Sequence, residues 1–405
     1  MSRREGKRVK GRNRKGLNVE QRIIRLKEEF IKCFNSEGVT RIFQVPGRVN
    51  LIGEHTDYNG GFVMPMAIDR SILAIARSRS DRKVRMKSLN FNNEVNFDLD
   101  NINNTESDGW GNYPKGVARM LEAAGYRLGG MDMLFEGDIP VASGLSSSAA
   151  IEVLSGWVFT SMSGKAIDKK ELVLLCQKAE NEFIGVKCGI MDQFVVGKAE
   201  KNSVLFLDCR DLSYELVPFN FEDVYVIISN TNVKRKLVNS EYNNRRKECE
   251  EGVKFFNDIS GNIKQLRDVS VELFEKYKHK LPRIVANRCE HVIYENERVK
   301  KAILCLKNED ASSFGQLMIQ SHNSLRDLYE VSCKELDILV ENALKIDGVL
   351  GSRMTGAGFG GCTVSLVQKD SAERFIVSLT EKYRKGTNIK PEFYICRPEA
   401  GVKEI

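Results

Sequence analysis

A short loop of glycine and serine, Gly144-Leu145-Ser146-Ser147-Ser148-Ala149-Ala150, places the strongest constraint on the fold of this chain. It follows a segment with the alternation of a strand, residues 131–138, and leads into an apolar segment that favours a helix, residues 151–162. The first turn of a helix has unpaired backbone N–H groups and a partial positive charge, and small residues let an anion approach them. The loop therefore predicts a phosphate site on a framework of strands and helices, with a serine-capped turn as the alternative.

The serines of this loop add chemistry to the backbone. Ser146, Ser147 and Ser148 carry hydroxyl groups that can bond phosphate oxygens or ligate a magnesium ion. The loop is not a Walker motif, because no Gly-Lys-Ser/Thr follows it. Pro140 precedes the loop and Glu152 follows it, inside the predicted helix.

A second stretch, residues 46–61, places Arg, Asn, Glu, His, Asp and Tyr side chains between glycines. Carboxylates accept hydrogen bonds from hydroxyl groups, and histidine and tyrosine both donate and accept them. This composition favours a pocket for a polyhydroxylated ligand, although a polar turn is the alternative. His55 is the first histidine of the chain and lies inside this stretch, whereas the next one, His279, comes far along the sequence.

Three further places carry candidate residues. Asp192 stands between apolar neighbours, where a carboxylate seldom lies without a partner, and Glu180 can face the same cleft from a predicted helix at 171–184. Two surface carboxylates are the alternative. Residues 351–361 contain five glycines, which implies positive φ angles or close approach to the backbone. Trp110 could face a nucleobase, although such a residue more often packs.

Composition limits the class of protein. The chain has 405 residues, 42% of them hydrophobic, which suffices for two domains. Residues 1–18 contain eight Lys and Arg and one Glu, so the net charge of +7 lies in this tail and the remaining charges balance at 54 to 54. We expect the tail to be disordered. It lacks the apolar segment of a secretory signal, and no apolar run of membrane-spanning length follows.

The cysteines point to a reducing compartment. None of the ten forms a Cys-x-x-Cys pair, and none of the four histidines has metal-ligand spacing. We therefore expect buried free thiols in a cytoplasmic protein, without a zinc site.

Periodicity predicts individual elements along the chain. Apolar residues at helical spacing predict a helix at 19–34, and the residues at 41–45 and 392–396 are predicted to form strands. Strands alternate with helices on both sides of residues 208–218. This pattern predicts a tail at 1–18, an N-terminal domain at 19–212 and a C-terminal domain at 213–405.

Three separated blocks resemble the GHMP small-molecule kinases. Residues 46–61 are similar to the signature of the galactokinase family, residues 144–150 to the second superfamily motif, and residues 355–362 to the third. Residues 110–113, 188–194 and 240–242 also look galactokinase-like, and the resemblance spans about residues 20–400. Ala357 stands where a third glycine is common, which requires a negative φ at that position.

The resemblance implies an α+β fold of two domains, the first like a ribosomal protein domain and the second ferredoxin-like, with the active site in the cleft between them. It also implies ATP-dependent phosphorylation of the anomeric hydroxyl group of α-D-galactose, giving galactose 1-phosphate. Mg²⁺ would be the cofactor. This reaction is the first committed step of galactose catabolism, the Leloir pathway.

The resemblance further assigns roles to residues. Asp192 would be the proton acceptor near the C1 hydroxyl group, and Arg48 beside it would stabilise the carboxylate and the transferring phosphoryl group. The sugar hydroxyl groups would be bound by Glu54, His55, Asp57, Gly189 and Tyr242. ATP would contact Trp110, Gly144, Leu145, Ser146, Ser147, Ser148 and Ala149. Magnesium would be held by Ser148, with or without Ser147, and by Glu180.

Three other functions stay open on the sequence. One is a related kinase acting on N-acetylgalactosamine or arabinose. Another is a catalytically inactive sensor that binds galactose and ATP to regulate transcription. The third is nucleic-acid binding confined to residues 1–18. We expect a monomer that binds galactose and ATP, with no membrane association.

Overall fold

The structure is a computed structural model that describes residues 17–35, 38–140, 143–233 and 238–405. Almost all of the basic tail predicted at residues 1–18 lies outside these residues. The helices are α1 (Val19–Phe34), α2 (Asn112–Ala123), α3 (Ser147–Met162), α4 (Lys169–Lys178), α5 (Met191–Lys198), α6 (Val238–Ser260), α7 (Val271–Tyr277), α8 (Arg283–Lys307), α9 (Ala311–Asp327), α10 (Lys334–Ala343) and α11 (Ala372–Thr387).

The strands form an α+β fold together with these helices. They are β1 (Arg41–Asn50), β2 (Phe62–Val63), β3 (Pro65–Ser78), β4 (Lys83–Ser88), β5 (Val95–Asp98), β6 (Met131–Gly137), β7 (Ser203–Asp208), β8 (Tyr214–Pro218), β9 (Val224–Asn230), β10 (Val349–Thr355), β11 (Cys362–Gln368), β12 (Glu392–Cys396) and β13 (Lys403–Glu404).

The strands of the described residues form three sheets. A six-stranded sheet has the order β13-β1-β3-β6-β4-β5, a four-stranded sheet the order β10-β11-β9-β12, and a small sheet the order β2-β7-β8. Strand pairs are antiparallel except for β4 and β6, which run parallel. The last strand, β13, returns to pair with β1, so the end of the chain completes the first sheet.

The four-stranded sheet comes wholly from the second half of the chain. The predicted boundary between residues 212 and 213 lies in the turn between β7 and β8, which pair with each other. The largest hydrophobic core contains side chains from both halves, such as Phe43 and Val45 with Val226 and Val364. The division at 212/213 therefore stays a prediction.

Helix α1 illustrates how local sequence determines an element. Asn18 accepts a hydrogen bond from the backbone of Gln21, and the Gln21 side chain accepts one from the backbone of Asn18, which forms a capping box. Leu26, Phe30 and Phe34 recur every four residues and are buried against the first sheet. The helix predicted by this periodicity at 19–34 is confirmed.

Strand β1 is longer than the sequence predicted. The expected strand at 41–45 continues to Asn50, and the pairing with β3 shifts register between Pro46 and Gly47. Such a bulge tolerates a proline, which has no N–H group to donate to the ladder. At Gly47 a Cβ atom would lie 3.1 Å from the carbonyl oxygen of Leu145, so the missing side chain lets the glycine–serine loop pack on the strand.

Helix α3 begins at Ser147, earlier than the predicted residue 151, and most of its 16 residues are buried. All ten cysteines are free, and none is exposed. No helix in the described part of the chain is long and apolar enough to cross a membrane.

Removal of a buried charge that anchors α1 should destabilise the fold. The Nε atom of Arg22 donates to the Glu136 carboxylate at 2.8 Å. The two side chains are only 6% and 9% exposed. Arg22→Met leaves Glu136 buried without its partner, which costs about 3–5 kcal/mol. Urea unfolding at pH 7 should show a lower midpoint.

The control for this variant is Lys32→Met. It removes an ion pair whose lysine is 65% exposed, and we expect no change in midpoint. Equal midpoints for both variants would contradict the prediction.

Candidate active site

A cavity of about 260 Å³ lies where β1, the glycine–serine loop and α5 meet. It gathers side chains and backbone from blocks that lie far apart in the sequence. The lining residues predicted from the sequence are Arg48, Glu54, His55, Asp57, Gly144, Ser146, Ser147, Ser148, Glu180, Gly189, Asp192 and Tyr242, and Gly356 and Ala357 of the third block join them.

Arg48 and Asp192 form the central ion pair of this cavity. Nε and Nη2 of Arg48 each donate to one oxygen of the Asp192 carboxylate, both at 2.8 Å, in the bidentate geometry that fixes both groups. Arg48 is buried, whereas the Asp192 side chain is 30% exposed. The carboxylate therefore presents its free edge to the cavity while the arginine holds it from behind.

The glycine–serine loop is attached to the same pair. Nη1 of Arg48 donates to the carbonyl oxygen of Gly144, and the Ser146 hydroxyl donates to Asp192. Ser146 has a positive φ of 56° immediately before α3, and Gly144 has a φ of 86°. These two positions turn the chain sharply, so that the N-terminus of α3 points at the cavity and Ser147 and Ser148 line it.

Glu54 links the polar stretch at 46–61 to the third block. One of its oxygens accepts hydrogen bonds from Asn50 and from Arg353, the latter at 3.2 Å, and the other accepts one from the backbone N–H of Gly356. Burial raises the pKa of Glu54, and the charge of Arg353 opposes that shift. Arg353 is fully buried and comes from β10, so this pair joins the two halves of the cavity wall.

His55 is held by tyrosines. Its Nδ1 atom lies 2.7 Å from the Tyr58 hydroxyl group, which in turn lies 2.8 Å from that of Tyr329. The Tyr242 ring packs 5.7 Å from the His55 ring. Burial lowers the pKa of His55 to about 3, so the ring is neutral at pH 7. Its Nε2 atom meets no side-chain partner among the described residues, and a backbone hydrogen bond with Ala357 partly opposes the lowering of the pKa.

Asp57 packs directly against Gly189 in the cavity wall. A Cβ atom on Gly189 would lie only 1.8 Å from Oδ2 of Asp57, so the glycine is required for this carboxylate to reach the cavity. Burial, reinforced by the nearby charge of Asp192, raises the pKa of Asp57 to about 7. Asp57 and Asp192 therefore lie close together in the cavity wall. Asp192 forms an ion pair with Arg48, whereas burial is the main influence on Asp57.

Glu180 lies on a single π-helical turn, Ala179–Ile184, which continues α4. Such turns are frequent at functional sites, because the extra residue redirects a side chain. Burial raises the pKa of Glu180 to about 7, against hydrogen bonds from Cys188, Gln193 and Ser148 that lower it. Ser148 and Glu180 thus lie within hydrogen-bonding reach of each other on the cavity wall.

This pair fits a magnesium ion. Among the described residues no group of three or more His, Cys, Asp or Glu side chains could hold a metal. Mg²⁺ does not need such a group, because it keeps several waters and is bound by one or two protein oxygens together with the phosphates of its nucleotide. A hydroxyl group and a carboxylate beside a phosphate loop satisfy that requirement.

Three residues predicted to contact ATP do not line the cavity. Leu145 and Ala149 are buried in the hydrophobic core below the loop. Trp110 packs against Phe91 and Phe135, and its indole N–H donates to Asn93 at 2.8 Å. The ring is partly exposed, so its role toward adenine stays a prediction.

Several further residues contribute to this site without a role predicted from the sequence. Arg353, Gln193, Tyr58 and Cys188 each contact a predicted site residue. All four lie inside stretches that the sequence singled out, at 46–61, 188–194 and 351–361, but none of them was assigned a role.

At Ala357 the condition set by the sequence holds, because its φ is not positive. Among the non-glycine residues of this segment, a positive φ falls instead on Phe359, at 56°, while Gly356, Gly358, Gly360 and Gly361 also have positive φ angles.

A larger cavity of about 580 Å³ lies elsewhere, beside α7 and α8. Its cations are already paired: Arg210 with Asp268, Arg267 with Asp208 at 3.3 Å, and Lys300 with Glu297 at 2.7 Å. None of the predicted site residues lines it. Since size alone does not indicate chemistry, the smaller cavity is the candidate site.

Family models match three parts of the chain. The model of the galactokinase galactose-binding signature matches residues 28–78, that of the GHMP kinase N-terminal domain residues 112–198, and that of the GHMP kinase C-terminal domain residues 302–385.

Individual proteins match over almost the whole chain. A galactokinase of Fusobacterium nucleatum is 47% identical over 93% of this chain and 98% of its own length. One of Clostridium tetani is 46% identical over 98% and 100%. A crystal structure of Lactococcus lactis galactokinase in complex with galactose superimposes with a TM-score of 0.91. It is 40% identical and covers 95% of this chain and 100% of that one.

The raised pKa of Asp57 makes a prediction about stability. Its carboxyl group ionises near pH 3.8 in the unfolded chain and near pH 7 in the folded one. The stability that this group contributes is therefore fully present below pH 4 and is lost as the pH rises to 7, by up to about 4 kcal/mol. Asparagine does not ionise, so Asp57→Asn loses no stability over this range of pH. The free energy of unfolding of the variant should therefore rise relative to that of the wild type between pH 4 and pH 7. Urea unfolding at several pH values measures the difference, and a difference independent of pH would contradict the prediction.

Proposed function

The chain belongs to the galactokinase family of GHMP kinases, and we propose that it transfers the γ-phosphoryl group of ATP to the anomeric hydroxyl group of α-D-galactose. The products are galactose 1-phosphate and ADP. This reaction is the first committed step of galactose catabolism. The observation that carries the proposal is the Arg48–Asp192 pair at the edge of the phosphate loop, in a cavity lined by the galactose-binding signature. A carboxylate, a guanidinium group and a phosphate loop are the parts that phosphoryl transfer to an alcohol requires.

Asp192 is the proton acceptor in this proposal. Its free edge faces the cavity, and Arg48 and Ser146 hold its orientation. The C1 hydroxyl group donates to Asp192, and its proton passes to the carboxylate as the bond from the hydroxyl oxygen to phosphorus forms and the bond from phosphorus to ADP breaks. Arg48 stays charged throughout and offsets the negative charge that gathers beside it.

The phosphate groups of ATP lie on the glycine–serine loop. Backbone N–H groups at the start of α3 and the hydroxyl groups of Ser147 and Ser148 face the cavity from one side. Gly144 leaves room for the phosphates to approach the backbone. We propose that Leu145 and Ala149 support this loop from the hydrophobic core and that their side chains do not contact ATP.

The sugar lies on the opposite wall. Asp57 accepts hydrogen bonds from hydroxyl groups, and neutral His55 offers its Nε2 atom. Tyr242 covers the histidine ring, and Gly189 leaves the space that the Asp57 carboxylate occupies. Glu54 already accepts three hydrogen bonds from the protein, so any sugar contact uses its remaining lone pair.

Ser148 and Glu180 hold Mg²⁺ in this proposal, with Ser147 as an additional hydroxyl ligand. The ion, when bound, neutralises charge on the phosphate oxygens. Glu180 and Ser148 would hold the ion on the cavity wall beside the phosphate loop, where Asp192 also lies. We also propose a cytoplasmic monomer whose basic tail takes no part in catalysis.

The test is ADP release with Mg-ATP, measured through a coupled assay across galactose, N-acetylgalactosamine, arabinose, glucose and mevalonate. The proposal expects strong turnover with galactose alone. Turnover chiefly on another sugar would replace the substrate but keep the reaction. Galactose binding without turnover would favour the sensor and refute the kinase.

Asp192→Asn should reduce turnover while leaving the cavity its shape. The amide cannot accept the proton as a carboxylate does, and general-base catalysis contributes about 10²- to 10⁴-fold. We expect kcat to fall by that factor, with the dissociation constant of ATP unchanged in equilibrium dialysis. A kcat within twofold of the wild type would remove Asp192 from the role of proton acceptor.

Gly189→Ala should weaken galactose binding. The new Cβ atom would meet the Asp57 carboxylate at 1.8 Å, which displaces the group from its position. The Michaelis constant for galactose should rise at least about tenfold, because a lost charge-assisted hydrogen bond costs roughly 1.5–3 kcal/mol. The constant for ATP should not change.

Gly129→Ala is the matched control for this variant. Its Cβ atom would meet only the Ser163 hydroxyl, at 3.9 Å, so both Michaelis constants should stay at the wild-type values. Equal effects of the two substitutions on galactose would show that Gly189 has no particular role in placing Asp57.

A further inference from the structure

Glu152 is a carboxylate that the proposed mechanism does not use. It lies on α3, one turn beyond the phosphate loop, and is fully buried. Its Oε2 atom accepts a hydrogen bond of 3.0 Å from Nε2 of Gln193, the residue that follows Asp192. The same Nε2 atom donates to Oε2 of Glu180 at 2.6 Å. One amide group, itself fully buried, therefore connects two carboxylates from different helices.

We propose that Gln193 and Glu152 are positioning residues for the cation-binding carboxylate: Gln193 holds Glu180 toward Ser148, and Glu152 determines the orientation of the Gln193 amide group. This inference rests on the proposed function, since it concerns the residue to which that function assigns the magnesium ion. Neither residue is required to touch substrate or metal.

The position of Glu180 explains why it needs such a donor. Glu180 lies in the single π-helical turn. There the N–H of Gly185 donates to the carbonyl oxygen of Glu180 at 3.0 Å, and the helix then ends. A glutamate side chain has three rotatable bonds, and the cavity offers it open space. The amide of Gln193 restricts that freedom, because it holds Oε2 of Glu180, which also accepts a hydrogen bond of 3.3 Å from the Cys188 thiol, and leaves the other oxygen for the cavity side. Partners of this kind orient metal ligands and raise metal affinity.

Glu152 explains the orientation of the amide. A glutamine amide can turn over so that its oxygen and nitrogen exchange places, which would set the oxygen against Glu180 and repel it. A second acceptor on the same side selects the orientation in which the NH₂ group faces both carboxylates. A glutamate at a fully buried position is costly, and burial together with the nearby charge of Glu180 raises the pKa of its carboxyl group, whereas an apolar residue would not carry that cost. The hydrogen bond from Gln193 to Glu152 offsets part of that cost.

The test measures metal binding directly. Mn²⁺ replaces Mg²⁺ as a paramagnetic probe, and its binding to the full-length protein with saturating ADP is followed by electron paramagnetic resonance. Gln193→Met keeps the length of the side chain and removes the donor. We expect the dissociation constant of Mn²⁺ to rise by about 10- to 100-fold, as for other partners of metal ligands. Galactose affinity, measured by calorimetry, should not change.

Three variants separate positioning from packing. Glu152→Met should raise the constant for Mn²⁺ by a smaller factor than Gln193→Met, whereas Glu152→Gln retains an acceptor and should restore the wild-type value. The double variant should bind Mn²⁺ no more weakly than Gln193→Met alone, since Glu152 acts only through Gln193.

Gln44→Met is the matched control. It also removes a buried amide hydrogen bond, to Ser71 at 3.1 Å, and it lies on β1 away from the cavity. Mn²⁺ binding should stay unchanged in this variant.

Wild-type Mn²⁺ affinity in Gln193→Met would overturn the inference, and so would equal losses in Glu152→Gln and Glu152→Met. If Gln193→Met does not fold, as judged by its thermal transition, the two Glu152 variants decide alone. Failure of the proposed function is a separate result. It would appear as absent turnover in the wild type, whereas the inference fails when the wild type turns over galactose and the variants bind Mn²⁺ equally well.

Discussion

The bidentate ion pair between Arg48 and Asp192 is the contact on which the cavity depends. It joins β1 to α5, and the same arginine binds the carbonyl oxygen of Gly144. One guanidinium group thus sets the distance between the carboxylate and the phosphate loop, because its donors lie in a rigid plane. A lysine could not do this, since it presents a single charged point on a flexible stem. The bulge at Gly47 and the positive φ of Ser146 are the backbone conditions that bring the three together.

A second buried ion pair, between Glu54 and Arg353, connects the cavity to the four-stranded sheet, because Arg353 lies on β10. Asn50 accepts from Arg353 at 2.9 Å through its carbonyl oxygen, and the backbone N–H of Gly356 reaches Glu54. A buried pair of this kind is weak evidence for stability, because its desolvation offsets its attraction. Together, these contacts attach β10 and the third block, residues 355–362, to the cavity wall at Asn50 and Glu54.

Much of the fold followed from local pattern. Helix α1 and strand β12 lie at the residues that periodicity predicted, and most other helices differ only at their ends. The strand predicted to stop at residue 45 was wrong, because a proline inside a strand normally ends it and the bulge that accommodates Pro46 depends on pairing with β3. The π-helical turn at Glu180 was likewise hidden, since it arises where α4 packs and not from any residue type.

The sequence alone determined which residue types this protein has for its chemistry: three separated blocks of small and polar residues, typical of one kinase family, with a balanced charge outside residues 1–18. It also indicated Asp192, Arg48 and the serines of the loop. Only the tertiary structure decided how they combine, because hydrogen bonds such as those from Gln193 to Glu152 and Glu180 join residues from separate helices. Their energies depend on burial and on angles that no local pattern contains.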